Sequence, residues 1–356
     1  MTIFLTGSTG FLGGKLLERL IETTDHPLVI LVRDMEKAER LLDTLPVGAE
    51  QRVTLVRGDI TDPLCGMDSS IVNELQGTVD LFYHIAALVK FDEELRDDLF
   101  RINYDGTRHA VDLAKQLGVK RFHYISTAYT IGKRTRGIEQ LYPVDSNVHN
   151  PYEESKVKAE HLVFSHSGPM EVSIFRPSII VGDSETGEAD SEFTLYGFMR
   201  ALDVFKRRRG KSISLKESYR LIGSKEATSN LVPVNYVADI LAIAAEKAQN
   251  GKIYNITNPA PPSNHLILNL IKKAIGFEQL EIIEDADINT LTEDEIKLNS
   301  LVAVFNAYLS RSFHFEDENT QRLIAGTSTH HLHMPLSNLE MIIDSYFQLK
   351  HPQTIG

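Results

Sequence analysis

The chain has 356 residues, with 37 Lys and Arg against 49 Asp and Glu and a formal charge of −12, which argues against a general nucleic-acid binder because such proteins present net basic charge. Its 42% apolar and 24% charged residues exclude wholesale disorder and suffice for one large or two modest domains. The single cysteine, Cys65, rules out an internal disulfide, and no Cys/His cluster has zinc-site spacing, so a reducing compartment and no metal are expected.

Met1 to Gly7 runs straight into a strand and a glycine turn, so no signal peptide is expected. From residue 2 to about 180, short β-rich runs at 3–6, 28–32, 52–56, 81–86, 121–126 and 172–176 alternate with helical patterns at 12–21, 38–42, 95–117 and 152–163. That alternation predicts an α/β protein with a Rossmann-type, doubly wound parallel sheet covered on both faces. After Pro177 the pattern loosens into a helix at 193–205, a strand or loop entering a helix over 229–246, a strand at 252–257 and a mostly helical stretch over 259–356. The most apolar later stretch, 231–245, is broken by Asn235 and Asp239, well short of the roughly 20 residues a spanning helix needs. A soluble cytoplasmic protein is expected.

Thr6-Gly7-Ser8-Thr9-Gly10-Phe11-Leu12-Gly13 lies between the first strand and the first helix. Glycines at this spacing allow a tight turn, close approach of backbone to a pyrophosphate and close packing of helix on strand, and the helix start offers unpaired N–H groups. The second strand ends at Val32-Arg33-Asp34. Arg33 at that end can clamp a 2′-phosphate, which favours NADP over NAD; Asp34 is the ribose ligand instead if the strand ends one residue later. Asp59, ahead of Ile60 at the end of the third strand, can accept from an adenine amino group or act as a turn or N-cap carboxylate. His84-Ile85-Ala86-Ala87 closes the fourth strand with small residues suited to close passage of a cofactor, with His84 read as a packing or hydrogen-bonding residue rather than a catalyst.

Tyr152 and Lys156 stand four apart in Tyr152-Glu153-Glu154-Ser155-Lys156, so on a helix the phenol and the ammonium share a face. A nearby cation favours the phenolate and is expected to lower the tyrosine pKa, making a usable proton donor. Upstream, Ile125-Ser126-Thr127 ends a strand and places a hydroxyl at the carboxyl edge of the sheet, where doubly wound folds bind ligands.

On these residues the chain resembles the extended short-chain dehydrogenase/reductases: Gly7, Gly10 and Gly13 match the glycine turn, Asp59 the adenine contact, Tyr152 and Lys156 the YxxxK pair, and Thr127 the catalytic hydroxyl. Within that superfamily, Leu31-Val32-Arg33, Ile125-Ser126-Thr127-Ala128-Tyr129, Phe175-Arg176-Pro177-Ser178-Ile179, Thr186-Gly187-Glu188 and Leu231-Val232-Pro233-Val234-Asn235-Tyr236 are similar to the male-sterility-type fatty acyl and thioester reductases. Asn235 departs from the Asp often found there. The resemblance implies a dinucleotide-binding domain at 1–182 plus about 231–258 and a substrate-capping region at about 183–230 plus 259–356. It implies NADPH as cofactor, held by Gly7, Thr9, Gly10, Phe11, Leu12, Gly13, Arg33, Asp59, Ile60, Ala86, Ala87, Lys156, Pro177, Ser178 and Ile179. Hydride transfer to a carbonyl, foremost that of an acyl thioester, would then use Tyr152 as proton donor, Thr127 sharing its hydrogen bond and Lys156 on the nicotinamide ribose.

Other readings stay open. A nucleotide-sugar epimerase or dehydratase would use the same side chains with tightly held NAD, which Arg33 speaks against, and a dinucleotide sensor would have no use for Thr127, Tyr152 and Lys156. Asn103 either kinks the 95–117 helix in support of the site or is a polar residue satisfied locally. Lys206-Arg207-Arg208-Arg209-Gly210-Lys211 is either a helix end whose cations complement the dipole or a docking patch for coenzyme A, an acyl carrier protein or an anionic membrane surface. Thr329-His330-His331-Leu332-His333 lacks a neighbouring carboxylate or cysteine and is read as a solvated loop, and Cys65 has no base beside it.

Overall fold

The β-rich runs form seven parallel strands of one sheet: β1 (Ile3–Thr6), β2 (Leu28–Val32), β3 (Val53–Arg57), β4 (Leu81–His84), β5 (Arg121–Ile125), and two more at Glu171–Pro177 and Lys252–Ile256. Across the sheet the order is Lys252–Ile256, Glu171–Pro177, β5, β4, β1, β2, β3, and each neighbouring pair is parallel. Every residue of β1, β2 and β4 is buried, as apolar strands covered on both faces must be. Because all seven strands point one way, their C-terminal ends share an edge. The strand order reverses between β1 and β4, and ligands of such sheets bind outside that edge at the reversal.

The computed structural model describes residues 1–189, 194–209, 218–284 and 287–350. The chain divides into two compact units, the first made of Met1–Ser178, Val234–Thr257 and Phe315–His331, the second of Ile179–Pro233, Asn258–His314 and the residues from Leu332 on.

In the first unit, α1 (Phe11–Thr23) buries Leu12, Leu16, Leu17, Leu20 and Ile21, a stripe set by the helical period. Helices α2 (Met35–Leu42), α3 (Ser69–Leu75), α4 (Arg96–Phe100), α5 (Gly106–Leu117) and α6 (Pro151–Phe164) follow. Phe4, Phe82 and Phe122 stack across β1, β4 and β5 with ring centroids 4.7 and 5.2 Å apart, in one core cluster with Ala110, Val111 and Ala114 of α5. The helix expected over 95–117 is broken by a π-turn at Arg101–Asp105. The side chain of Asn103 leaves the helix there to bond the backbone of Leu88. Phe315–His331 covers the exposed edge of Lys252–Ile256: Asn319 Nδ2 donates to the Ile253 carbonyl at 2.9 Å and Thr320 Oγ1 to that of Asn255 at 2.8 Å, which blocks pairing with another chain.

The second unit contains α7 (Leu195–Arg209), whereas α8 (Val234–Lys247) returns to the first and α9 (Asn264–Ile275) to the second. Ile179–Val181 pairs with Leu231–Pro233, and Tyr219–Ile222 with Leu280–Ile283, both parallel. The stretch expected to be mostly helical therefore also carries strands, at Leu280–Ile283 and His314–Phe315, too short for their periodicity to show. Among the described residues no helix is long and apolar enough to cross a membrane.

Candidate functional site

The glycine turn fits only glycine at two positions. Gly7 has φ +79°, and a Cβ on it would stand 2.7 Å from the Ala86 nitrogen; a Cβ on Gly13 would stand 2.2 Å from the Gly7 oxygen. The turn thus packs against both the end of β4 and the start of α1. Gly10 caps α1 without a side-chain bond, which leaves the first N–H groups of the helix for a ligand. Thr9 and Phe11 are partly exposed beside it, and Leu12 turns into the core. The hydroxyls of Ser8, Ser126 and Ser178 are buried without a protein partner. Each follows the C-terminal end of a sheet strand, so these orphaned groups and the glycine cradle fit a polar, phosphate-bearing ligand along that edge.

At the end of β2 the Arg33 side chain is 80% exposed, with Nη1 3.8 Å from Asp59 Oδ2. Asp34 instead accepts from the Lys37 N–H at 3.0 Å as the N-cap of α2. Asp59 Oδ1 accepts from the N–H and the hydroxyl of Thr61 at 2.9 and 2.8 Å. Burial pushes this carboxyl up, but the two Thr61 bonds and the charges of Arg33 and Arg101 together hold it below its ordinary range. Ile60 is buried and its carbonyl bonds His109 Nδ1 at 2.9 Å. Burial, reinforced by the charges of Asp59 and Asp112, pushes the Cys65 thiol up to about 12, so it is no thiolate nucleophile.

His84 links the end of β4 to α5. Thr107 Oγ1 donates to the Asn103 carbonyl at 2.6 Å, so His84 donates from Nε2 to Thr107 at 3.1 Å and accepts at Nδ1 from Thr6 Oγ1 at 2.8 Å. Thr6 Oγ1 in turn receives the N–H groups of Ile85 and Ala86, which fixes the backbone leading into Ala87. Burial, with the charge of Lys156, pulls His84 down to about 3, so it stays neutral and structural. Asn103 clamps the same loop: Oδ1 accepts from the Leu88 N–H at 2.7 Å, and Nδ2 donates to the Leu88 carbonyl at 2.9 Å and to Ser155 Oγ at 3.1 Å. The Asn103 side chain therefore joins this loop to the turn of α6 between Tyr152 and Lys156.

Helix α6 starts cleanly because Asn150 accepts from the Glu153 N–H at 3.0 Å and Pro151 occupies the first helical position. One turn then separates Tyr152 from Lys156. The Tyr152 phenol is hydrogen-bonded to the Thr127 side chain, and its ring meets the edge of Phe91 at 5.9 Å. Lys156 Nζ donates to the Ile125 carbonyl at 2.8 Å and to the Tyr124 hydroxyl at 3.3 Å. Burial pulls this ammonium down to about 7 although Glu160 opposes it. The expected lowering of the Tyr152 pKa is not found: burial, and after it the charge of Glu153, holds the phenol above its ordinary value against the Thr127 bond. Spacing placed the two groups on one face, but two of the three ammonium donors go to the end of β5 rather than to the phenol.

Pro177 ends its strand, the Ser178 N–H donates to the Ile256 carbonyl at 3.0 Å, and the Ile179 N–H donates to that of Asn230 at 3.1 Å. The basic run is largely tied down. Lys206 Nζ donates to the Ile275 carbonyl, Arg207 is 2.7 Å from Asp203, Arg209 pairs with Asp294, and Arg208 is exposed; Gly210 and Lys211 lie outside the described residues. The histidine tract does meet a carboxylate, since the fold brings Asp317 Oδ2 to 2.7 Å from His331 Nε2. Among the described residues no group of three or more His, Cys, Asp or Glu side chains can hold a metal. Sequence reasoning did not assign roles to Ser8, Ser126 or Glu153; the signal was their place beside Gly7, Thr127 and Tyr152.

The family described as Male sterility protein matches residues 5–241. One of the subunits of the linear gramicidin synthase of Brevibacillus parabrevis is 29% identical over 308 residues, which cover 82% of this chain and 6% of that protein. Fatty acyl-CoA reductase 1 of Xenopus laevis is 26% identical over 306 residues, covering 72% of this chain and 57% of that one. The chain thus spans less than two thirds of either relative. The crystal structure of the terminal R domain from the myxalamid PKS-NRPS biosynthetic pathway has a TM-score of 0.80 at 24% identity, covering 98% of this chain and 91% of that one, which establishes a shared fold.

Proposed function

From the premise that this chain belongs to the male sterility protein family of NAD(P)-binding extended short-chain dehydrogenase/reductases, we propose that it is an NADPH-dependent reductase of acyl thioesters or the related aldehydes and ketones. The observation that carries this reading is the Tyr152 phenol bonded to the Thr127 hydroxyl, with Lys156 one turn away, on the sheet edge that also holds the glycine turn. The name of one relative, a fatty acyl-CoA reductase, favours a thioester carbonyl.

In this reading the first unit takes the dinucleotide and the second the substrate. Gly7, Thr9, Gly10, Phe11, Leu12 and Gly13 receive the pyrophosphate on the start of α1, Arg33 the 2′-phosphate, and Asp59 and Ile60 the adenine. Ala86 and Ala87 leave room for the cofactor, Lys156 takes the nicotinamide ribose, and Pro177, Ser178 and Ile179 the carboxamide. NADPH supplies the hydride. Tyr152, kept protonated at neutral pH by its burial, holds a proton for the carbonyl oxygen, Thr127 orients that proton, and Asn103 fixes the α6 turn that carries Tyr152. A hydride and a proton together convert a thioester to a hemithioacetal, which releases aldehyde and thiol, or an aldehyde to an alcohol.

The test is NADPH consumption by the purified protein with acyl-CoAs, aldehydes, ketones and nucleotide sugars, run beside NADH, with mass spectrometry of any copurified dinucleotide. Turnover of a thioester or aldehyde with NADPH is expected. Epimerisation or dehydration of a nucleotide sugar with retained NAD would replace the reductase reading.

A further inference from the structure

Thr107 of α5 stands where two buried hydrogen-bond chains meet. One comes from the start of the glycine turn: Thr6 Oγ1 donates to His84 Nδ1 at 2.8 Å, and His84 Nε2 donates to Thr107 Oγ1 at 3.1 Å. The other comes from α6: Lys156 Nζ donates to the Tyr124 hydroxyl at 3.3 Å, and Tyr124 is hydrogen-bonded to the Thr107 side chain. All five of these residues are buried. Thr107 has one hydroxyl proton and gives it to the Asn103 carbonyl at 2.6 Å, so toward both chains its oxygen can only accept. The Tyr124 O–H therefore donates to Thr107, and lone pairs of the Tyr124 oxygen are what face Lys156. Burial, ahead of the charge of Glu160, holds the Tyr124 phenol well above its ordinary value, so that proton stays in place. The same ring meets the ammonium through its face, with Nζ 4.8 Å from the centroid.

We infer that Tyr124 and Thr107 are positioning residues for Lys156: Thr107 turns the Tyr124 hydroxyl so that its oxygen accepts from the lysine, and this bond keeps Lys156 an ammonium with one donor to spare for the cofactor. The inference deepens the reductase reading and rests on it for the task of Lys156 at the nicotinamide ribose. An ammonium has three donors. The Ile125 carbonyl takes one at 2.8 Å and Tyr124 another, which leaves one for a ribose hydroxyl. A buried ammonium needs such acceptors because desolvation favours the neutral amine. The charged and titratable groups around Lys156 are Glu160 and Tyr152 on its own helix, Tyr124 from β5 and His84 from β4. Glu160 favours the charge but is shared with Arg176, 2.6 Å away, and His84 and Tyr152 are neutral. Tyr124 thus supplies an uncharged acceptor where the carboxylate of the same helix is already engaged.

The test labels the lysines with carbon-13 at Cε and follows Lys156 by NMR against pH without cofactor, its signal assigned by its loss in Lys156→Met. In the wild type the titration midpoint is expected at about 7. Tyr124→Phe removes the oxygen and keeps the ring; it should bring the midpoint to about 6 or below, the worth of a hydrogen bond to a charged group. Thr107→Val keeps the shape and loses the hydroxyl. It frees the Tyr124 proton to turn toward a neutral amine, so the midpoint should fall again, whereas Thr107→Ser should keep it near the wild-type value. The double variant Tyr124→Phe/Thr107→Val should match Tyr124→Phe alone, because Thr107 acts through the Tyr124 oxygen. Tyr124→Phe should also weaken NADPH by about tenfold at pH 7 and leave adenosine 2′,5′-bisphosphate, which has no nicotinamide ribose, within about twofold. An unmoved midpoint in Tyr124→Phe, additive falls in the double variant, or equal weakening of the two ligands overturns the assignment. If no carbonyl compound is reduced yet the midpoints fall as described, the Tyr124 bond stands and the reductase reading falls. Should Tyr124→Phe fail to fold, the threonine variants decide: a midpoint that falls in Thr107→Val and holds in Thr107→Ser supports the assignment, and equal midpoints in the two overturn it.

Discussion

Lys156 Nζ donates to the Ile125 carbonyl at 2.8 Å, which fastens the middle of α6 to the end of β5 two residues before Thr127. The ammonium is pulled from 10.5 to about 7 by burial, with Glu160 opposing. Between those values the unfolded chain binds a proton that the folded chain does not, so this group makes stability rise with pH across that window, with the full contribution above 10.5 and none below 7. Lys156→Met should therefore raise the Tm most below pH 7, with an advantage that shrinks as the pH approaches 10. A gap between the two melting curves that stays constant with pH would show that the ammonium is not buried as described.

Tyr152→Phe removes one oxygen whose partner, Thr127 Oγ1, keeps the Tyr129 N–H at 3.2 Å. The loss of one hydrogen bond costs about 1 kcal/mol of stability, so the fold and cofactor binding should survive. Turnover should drop by about 10²- to 10⁴-fold, the usual worth of a positioned acid. Since burial and Glu153 keep the phenol above its ordinary 10, no decline in rate from its ionisation is expected below about pH 10. Near-normal turnover in the variant would remove Tyr152 from the proton-transfer step.

Arg33→Ala should weaken NADPH by roughly ten- to hundredfold, the worth of a hydrogen bond to a charged group, and leave NADH nearly unchanged. Asp34→Ala should instead cost the start of α2 about 1 kcal/mol, because its carboxylate caps Lys37, without changing the preference between cofactors. Dissociation constants for both dinucleotides, read by fluorescence quenching, separate the two side chains. Equal weakening of NADPH and NADH by Arg33→Ala would refute the 2′-phosphate contact.

Local pattern made the sheet legible. The runs expected at 3–6 and 28–32 are β1 and β2 to the residue, because apolar strands flanked by a glycine turn and a helix leave little freedom of register. What stayed hidden depended on distant residues. That Asn103 kinks its helix is one of two readings the sequence leaves open; what decides it is Leu88, fifteen residues earlier, which offers both backbone groups to its amide. The i,i+4 rule put Tyr152 and Lys156 on one face, but burial, which no spacing reports, sets the direction of both pKa shifts. Likewise Asp317 reaches His331 only through the fold.

Glu139 accepts from the N–H groups of Asn255 at 3.1 Å and Asn319 at 2.7 Å, joining the edge strand to the segment that covers it. Burial pushes its carboxyl from 4.5 up to about 7, against those two bonds and with the charge of Asp317 adding to the rise. Between 4.5 and 7 the folded state holds a proton that the unfolded state has lost, so this residue makes stability fall as the pH rises through that window. Glu139→Gln cannot ionise and should gain on wild type steadily from pH 4.5 to 7, then run parallel to it. Melting curves that keep the same separation over this range would place the Glu139 carboxylate in solvent.

The basic end of α7 tests charge docking against a helix end. Lys206 bonds the Ile275 carbonyl, and Arg207 and Arg209 pair with Asp203 and Asp294, so these cations already have partners and complement the carbonyl ends of α7 and α9. Neutralising them removes structural bonds as well as charge; Arg209→Ala should lower the Tm by the equivalent of about 1 kcal/mol, since its pair with Asp294 is partly buried. Arg208, exposed beside them, is the cleaner probe of docking because its loss disturbs no bond described for this helix. Arg208→Ala is expected to leave KM within about twofold for both an acyl-CoA and the matching free aldehyde, and added salt should affect the two substrates alike, because screening acts only on charge contacts that one of them makes and the other lacks. A selective rise in KM for the thioester, reproduced by salt in the wild type, would instead show that the end of α7 meets the phosphates of coenzyme A or of a carrier.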